Sequence, residues 1–126
     1  MKCLLLLASV VVLLTSKTVG QLKVAKNKQE DKVTNLIASL PEVTGSDKSI
    51  IKKTKGKIHL VTYIDQRPSK QKSYYLITVA EDQGWRLMPH YTFKVNAKNY
   101  AISYWAIIED KFIPLSIWRK HHYKEY

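Results

Sequence analysis

The chain has 126 residues, with 21 Lys and Arg against 10 Asp and Glu, a net charge of +11 and one cysteine. That length suits a single domain with one modest core, and a lone cysteine excludes an internal disulfide. The positive balance favours anionic partners, although lysines spread through polar segments also keep a small domain soluble.

Residues 1–20 have the pattern of a secretory signal. Lys2 gives a positive start, Leu4 to Leu14 is an apolar run of eleven residues, and Thr18-Val19-Gly20 places small residues at −3 and −1. Cleavage is expected between Gly20 and Gln21. The apolar run is too short for a bilayer, which takes about 20 residues. No later run approaches that length, so no transmembrane segment is expected. Processing would remove Cys3, and with it all thiol chemistry. It would also remove Lys2 and Lys17, lowering the charge from +11 to +9. The expected address is secreted or periplasmic, where nucleic acid is a poor partner.

Residues 21–31 (QLKVAKNKQED) are polar and lysine-rich and read as a flexible basic N-terminus; residues 32–126 then form a single domain. Val33, Leu36, Ile37 and Leu40 recur at i, i+3, i+4 and i+7, one face of a helix. Asp31 or a residue just before it caps the start, and Pro41 ends the helix because it excludes the α region at residue 40. Residues 41–57 read as a connector, with a turn cluster at Thr44-Gly45-Ser46-Asp47 and a basic loop carrying Lys52, Lys53, Lys55 and Lys57.

The remainder alternates like a sheet. Residues 58–64 (IHLVTYI) and 73–80 (SYYLITVA) are rich in β-branched and aromatic residues. Glu81-Asp82-Gln83-Gly84 joins the second strand to a third over residues 85–95 as a hairpin. In that third strand Trp85, Leu87, Tyr91, Phe93 and Val95 occupy odd positions, and Arg86, His90, Thr92 and Lys94 even ones. The pattern gives one buried face and one wetter face. A fourth strand covers residues 100–108, and a short C-terminal helix runs from about Leu115 to His122, with Leu115 and Trp118 toward the sheet. The fold class expected is α+β: a four-stranded antiparallel meander, the N-terminal helix packed on one face, and the short C-terminal helix.

Catalytic patterns are missing from the sequence. The histidines His59, His90, His121 and His122 form no HExxH and no finger spacing, so no metal site is expected. The carboxylates cluster in turns, at Asp65, Glu81-Asp82 and Glu109-Asp110, rather than in a converging pair. No serine sits in G-x-S-x-G, and no glycine cluster cradles a phosphate. A non-enzymatic domain without a cofactor is expected.

Aromatic residues carry the functional reading. Neighbours in a strand point to opposite faces, so Tyr74-Tyr75 and Tyr104-Trp105 place rings on both. The face away from the helix is expected to expose Tyr63, Tyr75 and Trp105 among Arg86, His90 and Lys94. Tyr, Trp and Arg dominate binding hot spots; the same rings in a cross-strand ladder simply stabilise a sheet.

Three stretches carry a resemblance: Leu40-Pro41-Glu42-Val43, Tyr74 through Gly84 (YYLITVAEDQG), and Leu115 through Lys120 (LSIWRK). With the export signal and the helix-plus-meander order, the chain resembles small secreted proteins of Bacteroidetes type with a PepSY-like or cystatin-like half-domain. Asn96-Ala97-Lys98-Asn99 departs from the Asp and Gly turn that often ends a strand in PepSY-like sequences. The resemblance implies a periplasmic binding or inhibitory module. The partner expected is a protein or peptide of the cell envelope; the alternatives are an anionic glycan or lipid and, last, a small hydrolase of no known motif.

Overall fold

The computed structural model describes residues 27–122. The expected signal segment and most of the expected N-terminal tail lie outside them. The elements are α1 (Lys28–Ala38), α2 (Pro41–Lys53), β1 (His59–Gln66), β2 (Tyr74–Asp82), β3 (Leu87–Asn96), β4 (Ile102–Ala106), β5 (Lys111–Pro114) and α3 (Leu115–His122). The strands form one antiparallel sheet in the order β1-β2-β3-β4-β5.

α1 starts earlier than the sequence suggested. The Asn27 side chain accepts the Glu30 N–H at 2.9 Å and satisfies an otherwise unpaired donor of the first turn. Residues 28–31 are therefore helical rather than part of a tail. Val33, Ile37 and Leu40 are buried and Leu36 is half-buried, as their spacing requires.

Two elements were not foreseen. Pro41 ends the first helix and also opens a second one at its first position, where its missing N–H costs nothing. The expected Thr44-Gly45-Ser46-Asp47 turn is thus the middle of α2. Tertiary bonds hold these weak helix formers in place: Ser46 Oγ and the Tyr91 hydroxyl lie 2.7 Å apart, and Asp47 Oδ1 accepts the Leu60 N–H at 2.8 Å. The second addition is β5, which makes the sheet five-stranded rather than four-stranded. The chain reverses over residues 107–110, with Asp110 at φ 52°, and Phe112-Ile113-Pro114 pairs with Trp105-Tyr104-Ser103. Pro114 is tolerated because β5 is an edge strand.

All three helices lie on one face. Tyr75, Ile77 and Val79 of β2 and Tyr91, Phe93 and Val95 of β3 are buried with Val33, Ile37, Leu40, Val43, Ile113 and Trp118. Trp118, on the expected C-terminal helix, stacks on Tyr104 with centroids 4.3 Å apart and packs edge-on against Phe93 at 5.9 Å. Two buried carboxylates tie distant elements together: Glu30 of α1 to Arg67 in the β1–β2 loop, and Glu42 of α2 to Arg119 of α3 within the helical layer. The molecule is a two-layer α+β domain whose second sheet face carries no helix among the described residues.

Candidate functional site

Strand partners in register point to the same side of a sheet. Since Tyr75, Ile77 and Val79 face the helices, Tyr74, Leu76, Thr78 and Ala80 face away. Register then places Val61 and Tyr63 of β1, Lys94 of β3, Ser103 and Trp105 of β4, and Phe112 and Pro114 of β5 on that same open face. Thr78 and Ala80 are small and buried under their neighbours. The larger Tyr63, Tyr74, Trp105 and Phe112 rise around them.

Lys94 is the centre of this face. Its ammonium lies 5.1 Å from the Tyr74 ring centroid and 4.8 Å from that of Phe112, so the charge bridges rings contributed by β2 and β5. The negative ring faces hold the cation in place. Phe112 in turn packs edge-on against Trp105, with centroids 4.9 Å apart and planes inclined by 61°. Lys94 has no carboxylate partner among the described residues. The result is an aromatic platform with an unneutralised positive charge at its middle.

The expected site residues divide. Tyr63, Lys94 and Trp105 are on the open face as read. Tyr75 is not: it is 3 % exposed beneath α1, and its hydroxyl donates to Gln29 Oε1 at 2.7 Å. Burial pushes its phenol above the usual tyrosine value, and the nearby Glu30 charge adds to the shift. Tyr74 takes its place. Sequence alternation did not separate the two, because β2 is apolar on both faces.

Arg86 and His90 also leave the platform, because β3 carries a bulge. Val79 pairs with Tyr91 but Ala80 pairs with Pro89, so His90 is an extra residue. A bulge of one residue exchanges the faces of everything beyond it. Leu87 and Pro89 therefore join the open side, opposite Asp82 and Ala80. Arg86 and His90 enter a polar group at the hairpin: His90 Nε2 lies 2.8 Å from Glu81 Oε1, and Arg86 Nε donates to Gln83 Oε1 at 2.8 Å. Hydrogen bonds from Gln83 and then His90 hold the Glu81 carboxyl below the ordinary carboxylate range. His59 and His90 do not meet, since β2 lies between their strands. Phe112 was missed altogether; its signal was the alternation of Phe112 and Pro114 with Ile113, visible only once β5 is recognised as a strand.

A second concavity of about 280 Å³ lies beside β1, lined by Val43, Asp47, Lys48, Leu60 and Thr62 among others. Its carboxylate, Asp47, is committed to the Leu60 N–H. Among the described residues no three His, Cys, Asp or Glu gather as metal ligands, and no helix is long and apolar enough to cross a membrane. No family model, curated protein or solved structure matches the chain.

Proposed function

We propose that the protein is an exported, non-enzymatic binding module whose open sheet face takes a protein or peptide of the cell envelope. The observation that carries this reading is Lys94, bridged between Tyr74 and Phe112 on a face that the helices leave bare. An apolar rim of Tyr63, Trp105 and Phe112 supplies area, and the fixed ammonium selects a carboxylate within an otherwise apolar ligand segment. The rings are pre-placed by packing, so docking orders few side chains. Three of the carboxylates, Glu30, Glu42 and Glu81, are engaged with Arg67, Arg119 and His90, which supports binding rather than acid–base chemistry. Export rests on the composition of residues 1–20, and a secreted form beginning at Gln21 by N-terminal sequencing would confirm that part.

The test is affinity capture from an envelope extract, followed by calorimetric titration of the recovered partner against the wild type, Trp105→Ala and Lys94→Gln. Hot-spot residues of this kind cost at least about 2 kcal/mol on truncation. Loss of tenfold or more in each variant is expected. A partner bound equally well by both variants would refute the assignment of the face.

A further inference from the structure

A second surface lies at the end of the sheet where β1 begins and the β2–β3 hairpin turns. The last β1–β2 pair is His59 with Asp82, so the α2–β1 turn and the hairpin tip leave the sheet side by side. The first presents Lys52, Lys53, Lys55 and Lys57, all exposed. None has a carboxylate partner among the described residues. A helix C-terminus favours cations in its last turn, which accounts for Lys52 and Lys53. It does not account for Lys55 and Lys57, which lie beyond the helix.

The turn that carries them is well defined. Lys55 and Gly56 have φ of 54° and 80°, the Gly56 N–H donates to the Ile51 carbonyl at 2.8 Å, and Thr54 Oγ1 accepts the Ile58 N–H at 3.1 Å. The neighbouring hairpin tip presents Trp85, which is 78 % exposed. The Arg86 guanidinium lies over its ring at 4.6 Å. That tip is also fixed, by Gly84 N–H to Asp82 Oδ1 at 2.9 Å and Gln83 N–H to the Arg86 carbonyl at 3.0 Å. The nearby acids, Glu81 and Asp82, are thus both engaged in hairpin bonds. The β4–β5 turn points to the same end, set back along the sheet, and exposes Ile107 and Ile108 beside Glu109, Asp110 and Lys111.

An indole projected from a rigid tip, at the same end of the sheet as four lysines without carboxylate partners among the described residues, matches the chemistry of a bilayer interface. Indole prefers the headgroup level, and lysines near an anionic leaflet are attracted to it. We propose that this end of the molecule docks on a membrane carrying anionic lipid, with Trp85 entering the headgroup layer and Lys52, Lys53, Lys55 and Lys57 supplying the attraction. Each lysine contributes roughly a fivefold gain in partitioning. This surface is separate from the Lys94 platform, so either assignment can fail alone.

The experiment is co-sedimentation of the protein with phosphatidylcholine vesicles, with and without about a third phosphatidylglycerol, at low and high salt. Tryptophan emission is recorded on the same samples. The variants are Trp85→Phe and the fourfold Lys→Gln substitution at 52, 53, 55 and 57, each checked for an unchanged thermal midpoint. Binding to the anionic vesicles alone is expected, with a blue shift absent in Trp85→Phe. The fourfold variant should bind roughly 600-fold less, and high salt should release the wild type. No binding to anionic vesicles, equal binding by the fourfold variant, or unshifted emission from the bound wild type would overturn the proposal. An equal blue shift with a soluble sulfated polysaccharide would reassign the patch to polymers and also overturn it.

Discussion

Arg119 of α3 donates from Nε to Oε1 of Glu42 at 2.5 Å and from Nη2 to Oε2 at 3.3 Å, joining α3 to α2 across 77 residues. The Glu42 side chain is 2 % exposed and that of Arg119 is 42 % exposed. Removing the arginine leaves a buried carboxylate without either of these hydrogen bonds. Because water reaches the vacated side, Arg119→Met should cost about 2 kcal/mol, below the full penalty for a buried pair. Urea denaturation should show a lower midpoint with an unchanged slope. The double variant Glu42→Leu/Arg119→Met should recover much of the loss.

Trp118 offers a harder test of the helix-side core. It is 1 % exposed and touches Tyr91, Phe93 and Tyr104. Trp118→Ala should destabilise the domain by about 3–5 kcal/mol, the range for large aromatic truncation. Trp105→Ala, on the open face, should cost far less. Equal losses for the two would mean that the open face is covered in solution.

Acid should weaken the β2–β3 hairpin. Glu81 has a folded pKa below its ordinary 4.5, owing to Gln83 and then His90. A lowered carboxylate pKa stabilises the fold above the unfolded value, and the contribution is lost as pH falls through the folded one. His90→Ala and Gln83→Ala should each flatten the fall in stability below about pH 4.5, measured as urea midpoint against pH.

Alkali should act at Tyr75 with the opposite sign. Burial raises its pKa above 10.0, so the neutral phenol is compatible with the fold and ionisation is not. Stability is complete below the unfolded pKa and falls as pH rises through the folded one. Tyr75→Phe should remove that alkaline loss, at the cost of the hydrogen bond to Gln29.

The parts of this fold legible in the sequence are those where burial follows a single period. Val33, Ile37 and Leu40 mark α1, the odd positions from Tyr91 to Val95 mark the core face of β3, and Leu115 with Trp118 marks α3. Legibility fails where long-range contacts override local preference. The Thr44-to-Asp47 segment is helical because Tyr91 and Leu60 hold it. β5 is only four residues long and gains its identity from pairing with β4. At the candidate site Lys94 and Trp105 could be read because alternation holds there. Arg86 and His90 could not, because a single inserted residue at the bulge reverses the pattern.

The most direct test of the Lys94 platform is a map of amide chemical-shift changes when the captured partner is titrated into isotopically labelled protein. The account predicts shifts concentrated at Tyr63, Tyr74, Lys94, Trp105 and Phe112, which lie on five strands but one face. Shifts confined to α1, α2 and α3, with those five residues unmoved, would contradict it.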